Sequence, residues 1–176
     1  MQKLISTGLF LLLIVAFSSF KNIENGETSK VKWYSIEEVQ ELVKTEKRKI
    51  YIDIYTDWCG WCKQMDKNTF TNDEVADLLN TKFYAVKLDG EAKVDITFRD
   101  HTFKFVPQGR NGYHELAATL LQGKMSYPTS VFLDEDLNVL TPLPGYQTPD
   151  KLEPILEFIG NEIYKTSTYE EFLATQ

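Results

Sequence analysis

Cysteine and histidine are both scarce in this chain, with two of each in 176 residues. That scarcity removes several classes of protein. A disulfide-stapled scaffold needs more bridges, and one pair two residues apart closes a loop too small to remove much unfolded-chain entropy. A structural zinc site needs four ligands, and only His101 and His114 remain to join Cys59 and Cys62, at a separation unlike a usual finger. Positive charge is also in deficit. There are 19 Lys and Arg against 26 Asp and Glu, a net charge of −7, which argues against nucleic acid as a partner. Internal repeats and low-complexity tracts are missing. The 43% hydrophobic and 13% aromatic content is ample for a packed core, and the length suits one domain.

The N-terminal region has a different character. Lys3 supplies a short basic stretch, and Leu9 to Phe17 is an unbroken apolar run followed by Ser18 and Ser19. This reads as a secretory signal peptide over residues 1–18, with Ala16 and Ser18 as the small residues before the cleavage point. The alternative is an uncleaved anchor from Leu4 to Phe20, which is short for a permanent span. No cysteine lies near the end of the apolar run, so a lipid-modified N-terminal cysteine is excluded. Residues 19–30 are polar, include Asn25-Gly26, and read as a flexible leader. The expected location is therefore outside the cytoplasm, in a bacterial periplasm or secreted.

The residues that carry chemistry are Trp58-Cys59-Gly60-Trp61-Cys62-Lys63. They follow the apolar, β-branched run Ile50 to Tyr55. A strand that leads into Cys-x-x-Cys at the start of a helix makes a reactive thiol. The helix N-terminus offers unpaired N–H groups and the positive end of a dipole, which favour thiolate over thiol. The implied chemistry is thiol–disulfide exchange.

The surrounding elements can be read from pattern. Val31 to Tyr34 suits a short first strand. Ser35-Ile36-Glu37-Glu38 is a capping box, opening a helix with Ile36, Val39, Leu42 and Val43 on one face. Lys47-Arg48-Lys49 reads as its solvated basic end. Lys49 to Thr56 is nearly continuously apolar, as in a strand buried on both faces, with Asp53 interrupting it. A helix from Cys59 to about Phe70 follows, then a helical restart at Thr71 to Glu74. Lys82 to Leu88 is a second buried strand. From Gly90 to Arg110 the alternation of Val94, Ile96 and Phe98 with polar residues, and of Phe103 and Phe105, predicts a β-hairpin turning at Arg99-Asp100-His101. Asn111 is expected to cap a helix through Gln122, closed by Gly123. Thr129 to Leu133 and Val139 to Leu143 form a strand pair about Asp134 to Asn138. Thr148-Pro149 opens a further helix that Pro154 should bend. Ser167-Thr168-Tyr169-Glu170 reads as a second capping box before a short terminal helix.

This order of elements resembles the thioredoxin-like superfamily over roughly residues 31–160. Three signatures carry the resemblance: Asp53 through Cys59-Gly60-Trp61-Cys62-Lys63, then Tyr127-Pro128-Thr129 before an apolar strand, then Gly145 after the last strand. The stretch Asp57 to Phe70 with Asn72-Asp73-Glu74-Val75 is similar to exported thioredoxins, including the periplasmic C-terminal domain of a transmembrane disulfide reductase. The chain departs from plain thioredoxin at Trp61, where proline is usual, in the hairpin, and in the helix beyond residue 160. The resemblance implies an α/β, thioredoxin-like fold over residues 31–176. Its central mixed β-sheet would be flanked by helices, with an inserted β-hairpin near 91–110 and an extra C-terminal helix.

The resemblance also implies roles. Cys59, nearest the helix N-terminus and exposed, would be the nucleophile, and the more buried Cys62 would resolve the mixed disulfide. Asp53 matches a buried acid beneath the second cysteine. Desolvation would raise its pKa and let it take the proton of Cys62. Lys87 fits the lysine paired with that acid, and Lys63 would favour the thiolate. Pro128 would follow a cis peptide bond and present Tyr127 to an extended substrate. Trp58, Trp61, Tyr127 and Gly145 would line the substrate groove, Trp58 chiefly as a packing platform and Trp61 as an exposed apolar contact. His101 and His114 are expected bystanders, His114 at the third position of its helix.

The function implied is an exported thiol–disulfide oxidoreductase that reduces or exchanges disulfides in proteins. Its electrons would come from a membrane or envelope donor. The alternatives are a disulfide-donating oxidase of the same fold and a non-catalytic partner-binding module. No metal and no cofactor beyond the Cys59–Cys62 pair is implied.

Overall fold

The structure is a computed structural model that describes residues 30–175. The expected signal segment 1–18 and nearly all of the leader 19–30 lie outside the described residues. In chain order, β1 (Trp33–Tyr34) is followed by α1 (Ile36–Thr45), β2 (Lys49–Tyr55), α2 (Gly60–Asn68), α3 (Asp73–Lys82) and β3 (Phe83–Asp89). Two small hairpins come next, β4 (Ile96–Phe98) with β5 (His101–Phe103) and β6 (Phe105–Gln108) with β7 (Asn111–His114). The chain closes through α4 (Glu115–Leu120), β8 (Thr129–Leu133), β9 (Val139–Pro144), α5 (Pro149–Gly160), a 3-10 turn at Ile163–Lys165, and α6 (Tyr169–Leu173).

The near-continuous apolar runs become the inner strands. The main sheet has the order β1-β3-β2-β8-β9, with β1, β3 and β2 parallel and β8 and β9 antiparallel. Strand β2 is central, and every residue from Lys49 to Ile54 is buried. Its alternation sorts two cores. Ile50, Ile52 and Ile54 face Val39 and Val43 of α1 and Leu116 and Leu120 of α4. Tyr51 faces the opposite side, with Met65 of α2, Leu79 of α3, and Leu152 and Leu156 of α5. The sheet is therefore covered by helices on both faces, an α/β architecture. Among the described residues, no helix is long and apolar enough to cross a membrane.

Helix α1 begins where its sequence dictates. Ser35 accepts a hydrogen bond from the Glu38 N–H, and the Glu38 side chain accepts one from the Ser35 N–H. The terminal box is displaced by one residue from its expected place: Thr168 is the cap and Glu171 its partner. Two successive Ser/Thr and two successive Glu residues allow either register, and the structure takes the later one. The basic run after α1 also differs from expectation. Lys49 is 3% exposed and its ammonium bridges Glu135 at 2.6 Å and Glu162 at 2.9 Å. It belongs to the first position of β2, where sheet burial outweighs solvation and two carboxylates compensate the charge. Helix α5 starts at Pro149 and continues through Pro154.

The largest correction concerns residues 91–114. One hairpin was expected, with a helix from Asn111. The first hairpin turns at Arg99-Asp100 as its pattern suggests, pairing Ile96 with Phe103 and Phe98 with His101. A second then pairs Phe105 with His114 and Gln108 with Asn111 about Gly109-Arg110, so the extra strands reach residue 114. Asn111 therefore sits in a strand, and the helix begins at Glu115 and ends at Leu120. His114 is its N-cap, not its third residue. The imidazole is fully buried, its Nδ1 accepts from the Leu116 N–H, and its Nε2 lies 3.1 Å from the Val94 carbonyl oxygen. The bystander becomes the joint between hairpin, loop and helix. The first hairpin is held to α1 through Gln40, whose side chain donates to the Thr97 carbonyl and accepts from the Arg99 N–H. Arg99 in turn donates to the Leu137 carbonyl at 2.6 Å, on the β8–β9 turn.

Phe132 on β8 is fully buried between the rings of Tyr51 and Phe83, with centroids 5.4 and 6.0 Å away. Phe132→Ala should therefore destabilise the domain by about 3–5 kcal/mol, read as a lowered urea midpoint with an unchanged slope. A loss below about 1 kcal/mol would mean that the helices on this face collapse onto the gap.

Candidate redox site at the start of helix α2

The central strand ends at Tyr55, and the chain turns through Thr56, Asp57 and Trp58 into α2. The Cys59 N–H donates to the Thr56 carbonyl at 3.1 Å, which closes this turn. Cys59 is the N-cap of α2, and its sulfur accepts from the Cys62 N–H at 3.0 Å. The two cysteines are joined as a disulfide, with Cα atoms 5.3 Å apart. Cys59 was expected to be exposed. It is only 4% exposed against 1% for Cys62, so the order of accessibility holds while both sulfurs are largely covered. The residues beside them take the exposed positions instead. Trp58 is 65% and Trp61 63% exposed, and each leans on a tyrosine: Trp58 meets Tyr127 edge-on at 5.9 Å, and Trp61 lies tilted against Tyr146 at 5.5 Å. Lys63 is exposed on the first turn of α2.

Asp53 lies on the β2 face that carries Tyr51, beneath α2. It is fully buried, and sheet register sets it beside Lys87 on β3 and Ser130 on β8. The Lys87 ammonium is 3.1 Å from Asp53 Oδ2, yet neither Asp53 oxygen receives a donor in hydrogen-bond geometry among the described residues. The reason is a second carboxylate. Asp66, one turn beyond Cys62 on α2, accepts a hydrogen bond from the same ammonium. Three rings enclose that ammonium, with the centroids of Tyr55, Trp33 and Phe70 at 4.8, 5.2 and 5.5 Å. Burial pushes the Asp53 carboxyl up to about 6, because Lys87, divided between two acids, offsets only part of the lost hydration. Burial also works against the charge on Lys87, but Asp53 and Asp66 together hold its pKa above the ordinary lysine value.

Through Tyr127, the loop before β8 meets Trp58, the residue next to Cys59. The Tyr127–Pro128 peptide bond is cis, and Pro128 is buried. The Pro128 carbonyl accepts from the Gly145 N–H at 2.8 Å, and Gly145 has a φ of 94°, which a side chain would strain. Tyr127 is half-buried. Burial, with help from Glu91 and Asp89, raises its hydroxyl pKa to about 12. The structure thus brings Cys59, Cys62, Asp53 and Lys87 together beneath and within the start of α2. Trp58 rests on Tyr127, which precedes Pro128, and Trp61 rests on Tyr146, which follows Gly145. His101 lies in the first hairpin, against Phe103.

Sequence reasoning missed three participants. Asp66 had a signal, since four residues after Cys62 is one helical turn along the same face. Tyr146 and Glu91 had none, because their places beside Trp61 and Trp58 depend on loops far away in sequence.

A mixed sheet with helices on both faces, a disulfide at a helix N-terminus and a buried acid beneath the same helix define a protein of thioredoxin-like fold. The solved structure described as DsbH oxidoreductase superposes on 81% of this chain and 95% of its own with a TM-score of 0.52 at 17% identity. Residues 14–160 match the family described as Thioredox_DsbH, protein of unknown function, DUF255, and the chain belongs to that family. An uncharacterised Caenorhabditis elegans protein, B0495.5, is 29% identical over 131 residues, 73% of this chain and 16% of that protein. The thiol:disulfide interchange protein DsbD of Pseudoalteromonas atlantica is 36% identical over 53 residues, 30% of this chain and 9% of that protein. The chain spans less than a fifth of the length of these two relatives.

The raised carboxyl of Asp53 has a consequence for stability. An unfolded aspartate titrates near about 3.9, so folding binds a proton between that value and about 6. Stability then falls as pH rises through this window and stays lower above it. A shift of about two units corresponds to roughly 2–3 kcal/mol. The oxidised Asp53→Asn variant should lack this slope and exceed the wild type in stability above pH ~7, measured as urea midpoints at several pH values. Parallel curves for the two proteins would mean that Asp53 titrates as an ordinary aspartate.

Proposed function

We propose that this chain is an exported thiol–disulfide oxidoreductase that reduces or exchanges disulfides in protein substrates through Cys59 and Cys62. The observation that carries the reading is the disulfide at the N-terminus of α2 with the buried Asp53 carboxyl beneath the same helix. The likeness of a 53-residue stretch to DsbD supports a role in interchange, and the Lys3 to Ser18 pattern supports export.

In the reducing direction, the Cys59 thiolate attacks one sulfur of a partner disulfide. The partner's other sulfur leaves as a thiolate and takes a proton. Cys62 then gives its proton towards Asp53 and attacks the Cys59 sulfur, releasing the second partner thiol. Two electrons pass from the protein dithiol to the partner, and the Cys59–Cys62 disulfide remains. A fully buried carboxyl with a pKa of about 6 suits that proton transfer, since it is a competent acceptor near neutral pH. Lys87 and Asp66 act as positioning residues with opposite effects, Lys87 lowering the Asp53 pKa and Asp66 raising it. Each turnover needs a dithiol donor, for which a membrane or envelope electron carrier is the fitting class. Trp58 and Trp61 offer the apolar surface on which a partner segment would lie.

The reduction potential of the Cys59–Cys62 pair, measured in defined thiol–disulfide buffers, decides the direction. A value near about −270 mV is expected and fits a reductase; a value near about −120 mV would make the protein a disulfide donor. The order of attack has its own test. Cys62→Ser should accumulate a mixed disulfide between Cys59 and a protein or peptide disulfide, visible by mass on non-reducing analysis, and Cys59→Ser should not. A pair that fails to cycle, with no trapped species, would leave a partner-binding module instead.

A further inference from the structure

The groove beside Trp58 has walls that the exchange chemistry itself does not require. It has a volume of about 370 Å³, and its lining includes Trp58, Glu91, Gln108, Tyr113, Ser126 and Tyr127. Gln108 and Tyr113 come from the second hairpin, so the unexpected pair β6–β7 forms one side of it. Among the described residues, three aromatic side chains and one carboxylate therefore line a single concavity, and no lysine or arginine does. The carboxylate is held in place: Trp58 Nε1 donates to Glu91 Oε1 at 3.1 Å, and the Glu91 N–H donates to Asp89 Oδ1 at 2.9 Å. Tyr127 is seated directly on the same turn. A Cβ at Gly90 would come within 2.5 Å of its hydroxyl oxygen, so the close approach requires glycine there. The charges of Glu91 and Asp89 reach that hydroxyl, and Asp57 adds to the negative field at Asp89.

We propose that this groove receives a lysine or arginine side chain of the protein whose disulfide is exchanged, so that the chain selects disulfides flanked by a basic residue. The inference rests on the exchange reading above and names a substrate class for the same site. The chemistry of the lining separates the possible occupants. A basic side chain lays its apolar stem on Trp58 and Tyr127, presents its cation to their ring faces, and meets the Glu91 carboxylate. An apolar side chain of the same size would cover Glu91 without pairing it, which is costly. An acidic side chain would meet Glu91 and Asp89 as like charges. Because Trp58 adjoins Cys59, an occupant of the groove lies within a few residues of the bond under attack.

The test uses the full chain, pre-reduced with dithiothreitol and freed of it, in single turnovers. The substrates are three disulfide peptides identical except for Arg, Gln or Glu two positions from one cysteine, with dithionitrobenzoate as a small disulfide that has no basic group. Rates should fall in the order Arg, Gln, Glu, with an Arg-over-Gln preference on the order of tenfold at low salt. Added salt should shrink that preference. Glu91→Lys should invert the order. If that variant does not fold by circular dichroism, Glu91→Gln should bring the Arg-to-Gln ratio towards one. Equal wild-type rates on the three peptides would overturn the groove while leaving disulfide exchange standing. Failure to reduce all three peptides and dithionitrobenzoate would overturn the exchange reading, and this inference with it.

Discussion

A carboxylate placed in the middle of the central strand is the constraint around which this protein is arranged. Strand β2 is buried on both faces, so the Asp53 charge is shut off from bulk solvent. Such a group must be neutral, paired, or both in part. The parallel register of β2 with β3 supplies Lys87 at the same level, and the packing of α2 over the sheet supplies Asp66 to share it. The result is an acid held between full ionisation and full neutralisation, with a pKa of about 6. The aromatic cage of Trp33, Tyr55 and Phe70 around the Lys87 ammonium belongs to the same arrangement, because it keeps the shared cation from escaping to solvent. Strand register, helix position and the core on that face all meet at this one group.

The second constraint is access. The disulfide sits at a helix N-terminus with both cysteines nearly covered, while the neighbouring tryptophans are about two-thirds exposed. Exposed aromatic surface of this kind is kept where a partner will cover it. Each tryptophan rests on a tyrosine from a different loop, so the rim has a fixed shape before any partner arrives. Affinity then depends less on ordering the rim and more on what the partner brings to it.

The two hairpins between β3 and α4 connect these layers. Arg99 and Gln40 fasten the first to the β8–β9 turn and to α1, and buried His114 fastens the second to α4 and to the loop at Val94. They stand apart from the main sheet, and the second forms a wall of the groove beside Trp58. Insertions placed this way alter recognition without altering the chemistry beneath, since the functional contacts of a fold are carried by the loops its scaffold positions.

Much of this was written locally. The strand before Cys59, the cap at Ser35, the apolar stretches of β3 and β8, and the Cys-x-x-Cys at a helix start all follow from short-range pattern, because periodicity and capping act within a few residues. The alternation that located the first hairpin continued into the second, and Asn111 misled only because a capping residue also suits a turn-flanking strand position. Asp53 was legible as an interruption in an apolar run, but alternation alone left its face open. Only the tertiary structure decided that it is buried, that Lys87 is divided between it and Asp66, and that Lys49 pairs with Glu135 and Glu162. The same holds for Glu91 beneath Trp58 and Tyr146 beneath Trp61. Those contacts join residues tens of positions apart, and their energies depend on burial and on charges converging from separate elements, which exist only once the sheet has closed its register and the helices have packed on it.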